Sequence, residues 1–334
     1  MSDASVIATR EGRIGHILLN RPRTLNALDL GMIRAMTAAL AGWRDDPTVH
    51  AVVIEGAGDR AFCAGGDIRA IRAHALAGDR DAVEAFFREE YSLNAMIDEY
   101  PKPYVALIDG ICMGGGIGVS VHGRVRVTTE AGMFAMPETA IAMFPDVGAS
   151  FFLPRLPGAL GMYLALTGTR LTGADAVHAG LATHFVPKHA LVALRAELPR
   201  EGVASVAVQA CSLPPFSLAA RRAAIDHCFG ATTVADIITR LEADGSDWAR
   251  ETLATLRGMS PSSVLWSFEI VRRGATRSLR DCLAMELSLT RHVTAHPDFA
   301  EGVRAMVVDK DRKPRWSLAR IEEVPLPVIA AMFD

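Results

Sequence analysis

Two acidic residues stand inside a hydrophobic run, "FAMPETAIAMFPDVGASFFLPR" (134–155). Glu138 and Asp146 are eight residues apart, and each directly follows a proline. A carboxylate among apolar residues is costly unless it is paired or used. Two of them can serve as base and acid, or as nucleophile and helper. On one continuous helix they would lie about 12 Å apart. Pro145 argues that no helix runs through to Asp146, so the chain can fold back there. The plain alternative makes Glu138 a first-turn helix acid and Asp146 the N-cap of a helix over 147–154.

Upstream, two glycine turns can expose backbone N–H groups. In "AFCAGGDIRAI" (61–71), Gly65 and Gly66 form a turn before a helix that starts near Asp67. In "DGICMGGGIGVSVHG" (109–123), Gly114, Gly115 and Gly116 follow a strand and open an apolar helix. The plain readings are an Asp67 N-cap and tight strand–helix packing. A dinucleotide fingerprint is excluded, because its third glycine would fall at Val119 or Val121. A Walker-type phosphate loop is excluded because no Lys-Ser/Thr follows. "GVSVH" (118–122) approaches a nucleophile elbow, but the glycines make the turn and Ser120 falls inside the helix, so Ser120 and His122 read as structural. One N–H from each turn would make an oxyanion hole.

Other charged residues have ordinary readings. Glu89 and Glu90 in "FFREEYSLN" (86–94) lie on an amphipathic helix, where Arg69, Arg72 and Arg88 could pair with them. The basic residues of "NRPRTLNAL" (20–28) and "DKDRKPRW" (309–316) could meet phosphates, with surface charge as the default.

Short β-like runs position these turns. "SVIATREGRIGHILLN" (5–20) reads as two strands joined at Glu11-Gly12, and "AVVIEG" (51–56), "YVALIDG" (104–110) and "RVRVTT" (124–129) read as further strands. Helical spacing marks 29–44 and 80–98. Beyond about residue 187 the pattern turns helical, at 188–199, 216–228, 232–244, 247–258, 261–273 and 278–294. Ser260 before Pro261 is a cap followed by proline at the first helical position. The expected organisation is an α/β core over 1–211 and a helical region over 212–334, joined near "SLPPFS".

The 334 residues, half of them hydrophobic, suffice for a large core. A net charge of −3 without one-sign blocks gives no support for a nucleic-acid surface. Five scattered cysteines without metal spacing point to a reducing compartment and to no metal site. No apolar stretch is long enough for a membrane span, and the N-terminus has no targeting pattern, so a cytoplasmic protein is expected.

Four stretches, "RPRTLNAL", "FCAGGDI", "GICMGGGIG" and "MPE", occur in an order that resembles the crotonase (enoyl-CoA hydratase/isomerase) superfamily. "FFREEY", "KPYVALIDGICMGGG", "SVHG", "FAMPETAI.MFPDVG" and "DFAEGVRAMVVDKDRKPRW" are more specifically similar to its 3-hydroxyisobutyryl-CoA hydrolase branch, over nearly the whole chain. The resemblance implies an α/β fold, a spiral of ββα units with a helical C-terminal region. It implies hydrolysis of a short 3-hydroxyacyl-CoA thioester, with no cofactor because coenzyme A is part of the substrate. By resemblance, the N–H groups of Gly66 and Gly115 form the oxyanion hole. Ala64, Asp67 and Ile68 belong to the loop that holds the adenine end of coenzyme A, and Glu90 lines the acyl pocket. Arg21 or Arg23 would meet the phosphates. Glu138 and Asp146 would be catalytic. Hydratases need a second glutamate two residues after the three glycines, where this chain has Gly118, and dienoyl-CoA isomerases need an aspartate there. The rivals are an enoyl-CoA isomerase or hydratase working through Glu138, and a non-catalytic acyl-CoA-binding protein. The resemblance leaves a homo-oligomer open, trimers being frequent in the superfamily.

Overall fold

Alternation of short apolar strands with helices runs from the N-terminus to about residue 185, and helices alone follow. The computed structural model describes residues 4–333. In chain order the first elements are β1 (Val6–Glu11), β2 (Ile14–Leu19), α1 (Leu30–Arg44), β3 (Ala51–Gly56), β4 (Ala61–Cys63), α2 (Ile68–Leu76) and α3 (Arg80–Asp98). Next come β5 (Tyr104–Ile108), β6 (Ile111–Met113), α4 (Gly115–Val121), β7 (Val125–Thr128), β8 (Met133–Ala135), α5 (Ala149–Phe152) and α6 (Leu160–Thr167). Then follow β9 (Leu171–Thr172), α7 (Gly173–Ala179), β10 (His184–Phe185), α8 (Leu191–Glu201) and α9 (Ala204–Gln209). The helical end comprises α10 (Arg222–Phe229), α11 (Val234–Asp244), α12 (Asp247–Gly258), α13 (Pro261–Gly274), α14 (Leu279–Val293), α15 (Pro297–Val303) and α16 (Leu326–Ala331).

The chain forms two compact units. One holds the chain up to Asp67, Glu89–Ala135 and Arg170–Ser217; the other holds Ile68–Arg88, Met136–Thr169 and the chain from Leu218.

Among the described residues, every strand belongs to the first unit. A six-stranded sheet has the order β1-β2-β3-β5-β7-β10, and a four-stranded one the order β4-β6-β8-β9. The hairpin β1–β2 is antiparallel, as its Glu11-Gly12 turn predicts, and β2, β3, β5, β7 and β10 run parallel. Each successive strand pair, β3–β4, β5–β6 and β7–β8, gives its first strand to the large sheet and its second to the small one. This is the ββ repeat of the expected spiral. Buried parallel strands read as continuous apolar runs, which is why "AVVIEG" and "YVALI" carry no alternation. Val53, Val105, Leu107 and Val127 pack with Leu191, Leu194 and Leu198 of α8 to close one face of the large sheet.

The second unit is helical among its described residues. Its helix starts are locally encoded. Thr233, Ser246, Ser260 and Ser278 each accept a backbone N–H at the start of α11, α12, α13 and α14. Two sequence expectations change here. Asp146 is not the N-cap of the following helix: α5 begins after Gly148, and the Gly148 and Ser150 N–H groups at its start donate to Glu286. Helices α6, α7, α9, α15 and α16 were not anticipated.

Candidate active site

In the first unit, strand register brings the two glycine turns together. β4 and β6 are parallel neighbours, with Ala61 opposite Ile111 and Cys63 opposite Cys112. Their C-terminal ends therefore finish at the same edge, and the turns 64–67 and 114–116 begin there. Gly65 takes φ +109°, a conformation open to glycine, and a Cβ on it would stand 3.3 Å from Met113 O. A Cβ on Gly116 would fall 2.2 Å from Cys63 O, so α4 can lie against β4 only with glycine there.

The first turn is held by the "LNAL" stretch. Leu28 forms a parallel bridge with Gly66: Leu28 N–H donates to Gly65 O and Asp67 N–H donates to Leu28 O, both at 2.8 Å. In such a bridge the N–H of the middle residue, Gly66, points away from its partner. Gly115 is the first residue of α4, a position whose N–H has no intrahelical acceptor. A Cβ on Gly115 would lie 3.2 Å from Gly66 N. Two directed donors thus sit side by side, the arrangement that stabilises a developing oxyanion. Glu90, buried on α3, completes the cradle: its Oε1 would stand 2.5 Å from the same Cβ.

Sequence reading missed Asn26. Its buried amide donates to Ala57 O at 3.0 Å and Ala61 O at 2.9 Å, and accepts from Arg21 N–H at 3.0 Å. It ties the loop before α1 to β4. The signal was the "LNAL" string itself. Arg21 is occupied within the protein, donating to Ala27 O at 2.7 Å and pairing with Asp29 at 3.1 Å and Asp67 at 3.4 Å. Arg23 is exposed on the 3₁₀ turn Pro22–Thr24. The Ala64 N–H already donates to Leu25 O at 3.0 Å. Glu89 pairs with Arg34 at 2.7 Å, a partner that sequence reading did not name. Ser120 is structural as expected, its hydroxyl bonded to Gly116 O and Ile117 O.

In the second unit, Ile68 opens α2, whose Arg72 donates to Ala300 O at 2.7 Å; Arg69 donates to Val307 O. Glu138 opens a 3₁₀ turn, Glu138–Ile141, and is buried, as is Asp146. The turn ends at Ala142 in the left-handed region, and Met143 N–H returns to Glu138 O at 3.0 Å, so the chain folds back before Pro145 as its prolines suggest. Distant helices fix this stretch. Ser263 Oγ and Trp266 Nε1 of α13 both donate to Met143 O, the latter at 3.0 Å. Gly302 of α15 packs on Ile141 so closely that a Cβ would meet its carbonyl carbon at 2.5 Å. Glu286 of α14 accepts from Gly148 and Ser150.

The first unit therefore brings two backbone donors beside a carboxylate, and the second buries Glu138 and Asp146 in one anchored stretch. The chain belongs to the enoyl-CoA hydratase/isomerase family, whose model matches residues 14–333. It is 48% identical to the mitochondrial 3-hydroxyisobutyryl-CoA hydrolase of Xenopus tropicalis, covering 100% of this chain and 89% of that protein. The human protein of the same name is 46% identical, over 96% of this chain and 86% of that protein. A crystal structure described as a carnitinyl-CoA dehydratase from Mycobacterium thermoresistibile superposes with a TM-score of 0.95 at 41% identity, over 99% of this chain and 97% of that one. The α/β crotonase fold with a helical C-terminal region is thereby established, and the chain is an acyl-CoA thioester hydrolase of the crotonase type. Such a hydrolase needs no cofactor beyond the coenzyme A of its substrate. No described helix is long and apolar enough to cross a membrane.

Proposed function

We propose that the enzyme hydrolyses 3-hydroxyisobutyryl-CoA, releasing the free hydroxy acid and coenzyme A, as a step of valine breakdown. The observation that carries this reading is the paired donor cradle of Gly66 and Gly115, in a chain matched over its whole length by hydrolases acting on that thioester. Hydrolysis passes through a tetrahedral oxyanion, and each preorganised donor there is worth roughly 3–4 kcal/mol. In this reading Gly66 and Gly115 hold the thioester oxygen, and Glu90 borders the acyl group. Ala64, Asp67 and Ile68 belong to the adenine loop; since the Ala64 N–H is taken, its carbonyl is the group left for a ligand. Arg23, exposed, is the residue assigned to the phosphates.

Glu138 either attacks the carbonyl to give a mixed anhydride or takes a proton from the attacking water. Asp146 binds the substrate hydroxyl and orients Glu138 or the water. Gly118, at the place of a hydratase's second glutamate, speaks against addition of water to an alkene. Free-thiol release across a panel of short hydroxyacyl-, acyl- and enoyl-CoA esters tests the reading. Preferred cleavage of 3-hydroxyisobutyryl-CoA, with 3-hydroxypropionyl-CoA second, is expected; turnover of the enoyl ester without thiol release would defeat it.

A cytoplasmic location is part of the same proposal, which leaves the oligomeric state open. The curated relatives are named as mitochondrial. Sedimentation of the purified enzyme and fractionation of cells that express it decide these two points.

A further inference from the structure

Glu286 has no part in the chemistry outlined above, yet it is the most deeply buried carboxylate beside the Asp146 turn. It sits on α14 with no exposed surface. Its two oxygens accept three hydrogen bonds, all from one short stretch: Gly148 N–H at 2.7 Å, Ser150 N–H at 3.0 Å and Ser150 Oγ at 2.6 Å. Between Asp146 and those donors the backbone is unusual. Val147 has φ +53° and Gly148 φ +86°. A β-branched residue in the left-handed region is a true outlier, and such a conformation persists only where its surroundings over-determine it. Asp146 O closes the turn by accepting from Ala149 N–H at 2.8 Å.

We propose that Glu286 is a positioning residue for Asp146, clamping the Val147–Gly148 turn so that the Asp146 carboxyl group is held in one orientation. The inference rests on the reading that Asp146 works with Glu138. Stability alone does not call for a carboxylate here. The helix it meets, α5, has four residues, and a neutral cap would avoid the cost of burying a charge. What a carboxylate adds is acceptor capacity on both oxygens; glutamine would present an N–H₂ group to a backbone N–H. It also adds a titratable proton that glutamine lacks. Burial, and to a lesser degree the neighbouring Asp146, push the Glu286 carboxyl up to about 8, against the opposing hydrogen bonds from Ser150 and Gly148. Cys282, one turn earlier on α14, is a titratable neighbour of Glu286; its thiol is raised by burial and by Glu286, with the Ser150 hydrogen bond, Arg155 and Arg277 opposing. The neighbouring Asp146 thus opposes ionisation of Glu286.

The test compares Glu286→Gln, Ser150→Ala and Asp146→Asn in the full-length enzyme, using thiol release from 3-hydroxyisobutyryl-CoA between about pH 6 and about pH 9. Glu286→Gln is expected to lower kcat by roughly 100-fold, the scale of a misplaced reacting group, with KM changed by less than about 3-fold and with a displaced limb in the pH–kcat profile. Ser150→Ala should shift both in the same direction by about 10-fold or less. If Asp146→Asn is inactive while Glu286→Gln keeps the parental kcat and pH profile, the inference is overturned. Should Glu286→Gln not fold, a folded Ser150→Ala with unchanged kcat and profile overturns it instead. Full activity in Asp146→Asn brings down the reading of the site, which is a distinct outcome.

Discussion

Gly115 and Glu90 meet at a distance that leaves room for a hydrogen atom and nothing larger: a Cβ on Gly115 would lie 2.5 Å from Glu90 Oε1 and 3.2 Å from Gly66 N. The side chain of alanine would displace the carboxylate and stand over the donor. Gly115→Ala is therefore expected to fold, because the nearest clash is with the end of a side chain, and to lose about 10²–10³ in kcat, the loss typical of a missing oxyanion donor. Thiol-release kinetics and a thermal melt on the same sample check both halves. Near-parental kcat in a folded variant would remove the oxyanion role.

Glu138→Gln should abolish turnover, by at least about 10³-fold, while binding of the CoA ester survives. Thiol release and calorimetric titration with the substrate measure the two quantities. Single-turnover hydrolysis in heavy-oxygen water then separates the routes: label in Glu138 supports the anhydride, label only in the product acid supports general-base attack.

A third expectation concerns pH and stability in the first unit. His16 bonds to Glu55 at 3.0 Å and to Glu11 at 3.1 Å, and Arg195 also donates to Glu55. Burial would lower the His16 pKa, but the Glu55 hydrogen bond and the two carboxylate charges prevail, and it is raised above the ordinary 6.5. The protonated form is thus favoured by folding. The stabilisation is complete below the unfolded pKa of 6.5 and is lost as pH rises through the higher folded value. Urea midpoints should fall over that interval in the parent and not in His16→Gln. Equal slopes in the two proteins would refute the linkage.

Asn94 is fully buried on α3, one turn after Glu90, and neither end of its amide has a hydrogen-bond partner among the described residues. An unmet buried polar group typically costs about 1–3 kcal/mol. Asn94→Leu is accordingly expected to raise the unfolding free energy by about 1 kcal/mol, read as a higher melting temperature. A lower melting temperature would show that the amide is satisfied in solution.

How much of this was readable in advance depended on range along the chain. The helix over 261–273 was legible because Ser260 and Pro261 encode its start locally, and the structure places it at Pro261–Gly274. The strands at 51–56 and 104–108 were legible as apolar runs closed by turns. Juxtaposition of the glycine turns was only inferable through chemistry, since it depends on β4 pairing with β6 rather than with its neighbour in sequence. Asp146 looked like a cap because a helix does follow. The left-handed pair Val147–Gly148 moves the cap position from Asp146 to Gly148, and no local pattern announced it. Asn26 and Glu286 were passed over for the same reason: Arg21 aside, their partners lie 31 to 138 residues away.

That separation has a consequence during synthesis. Met143 is held by Ser263 and Trp266, and Gly148 by Glu286, so the stretch bearing Glu138 and Asp146 is translated long before its supports exist. At roughly 5–20 residues per second, the ribosome needs on the order of ten seconds to supply them. The nascent chain carries the stretch of Glu138 and Asp146 without these supports through that interval, and they arrive only with the last third of the chain.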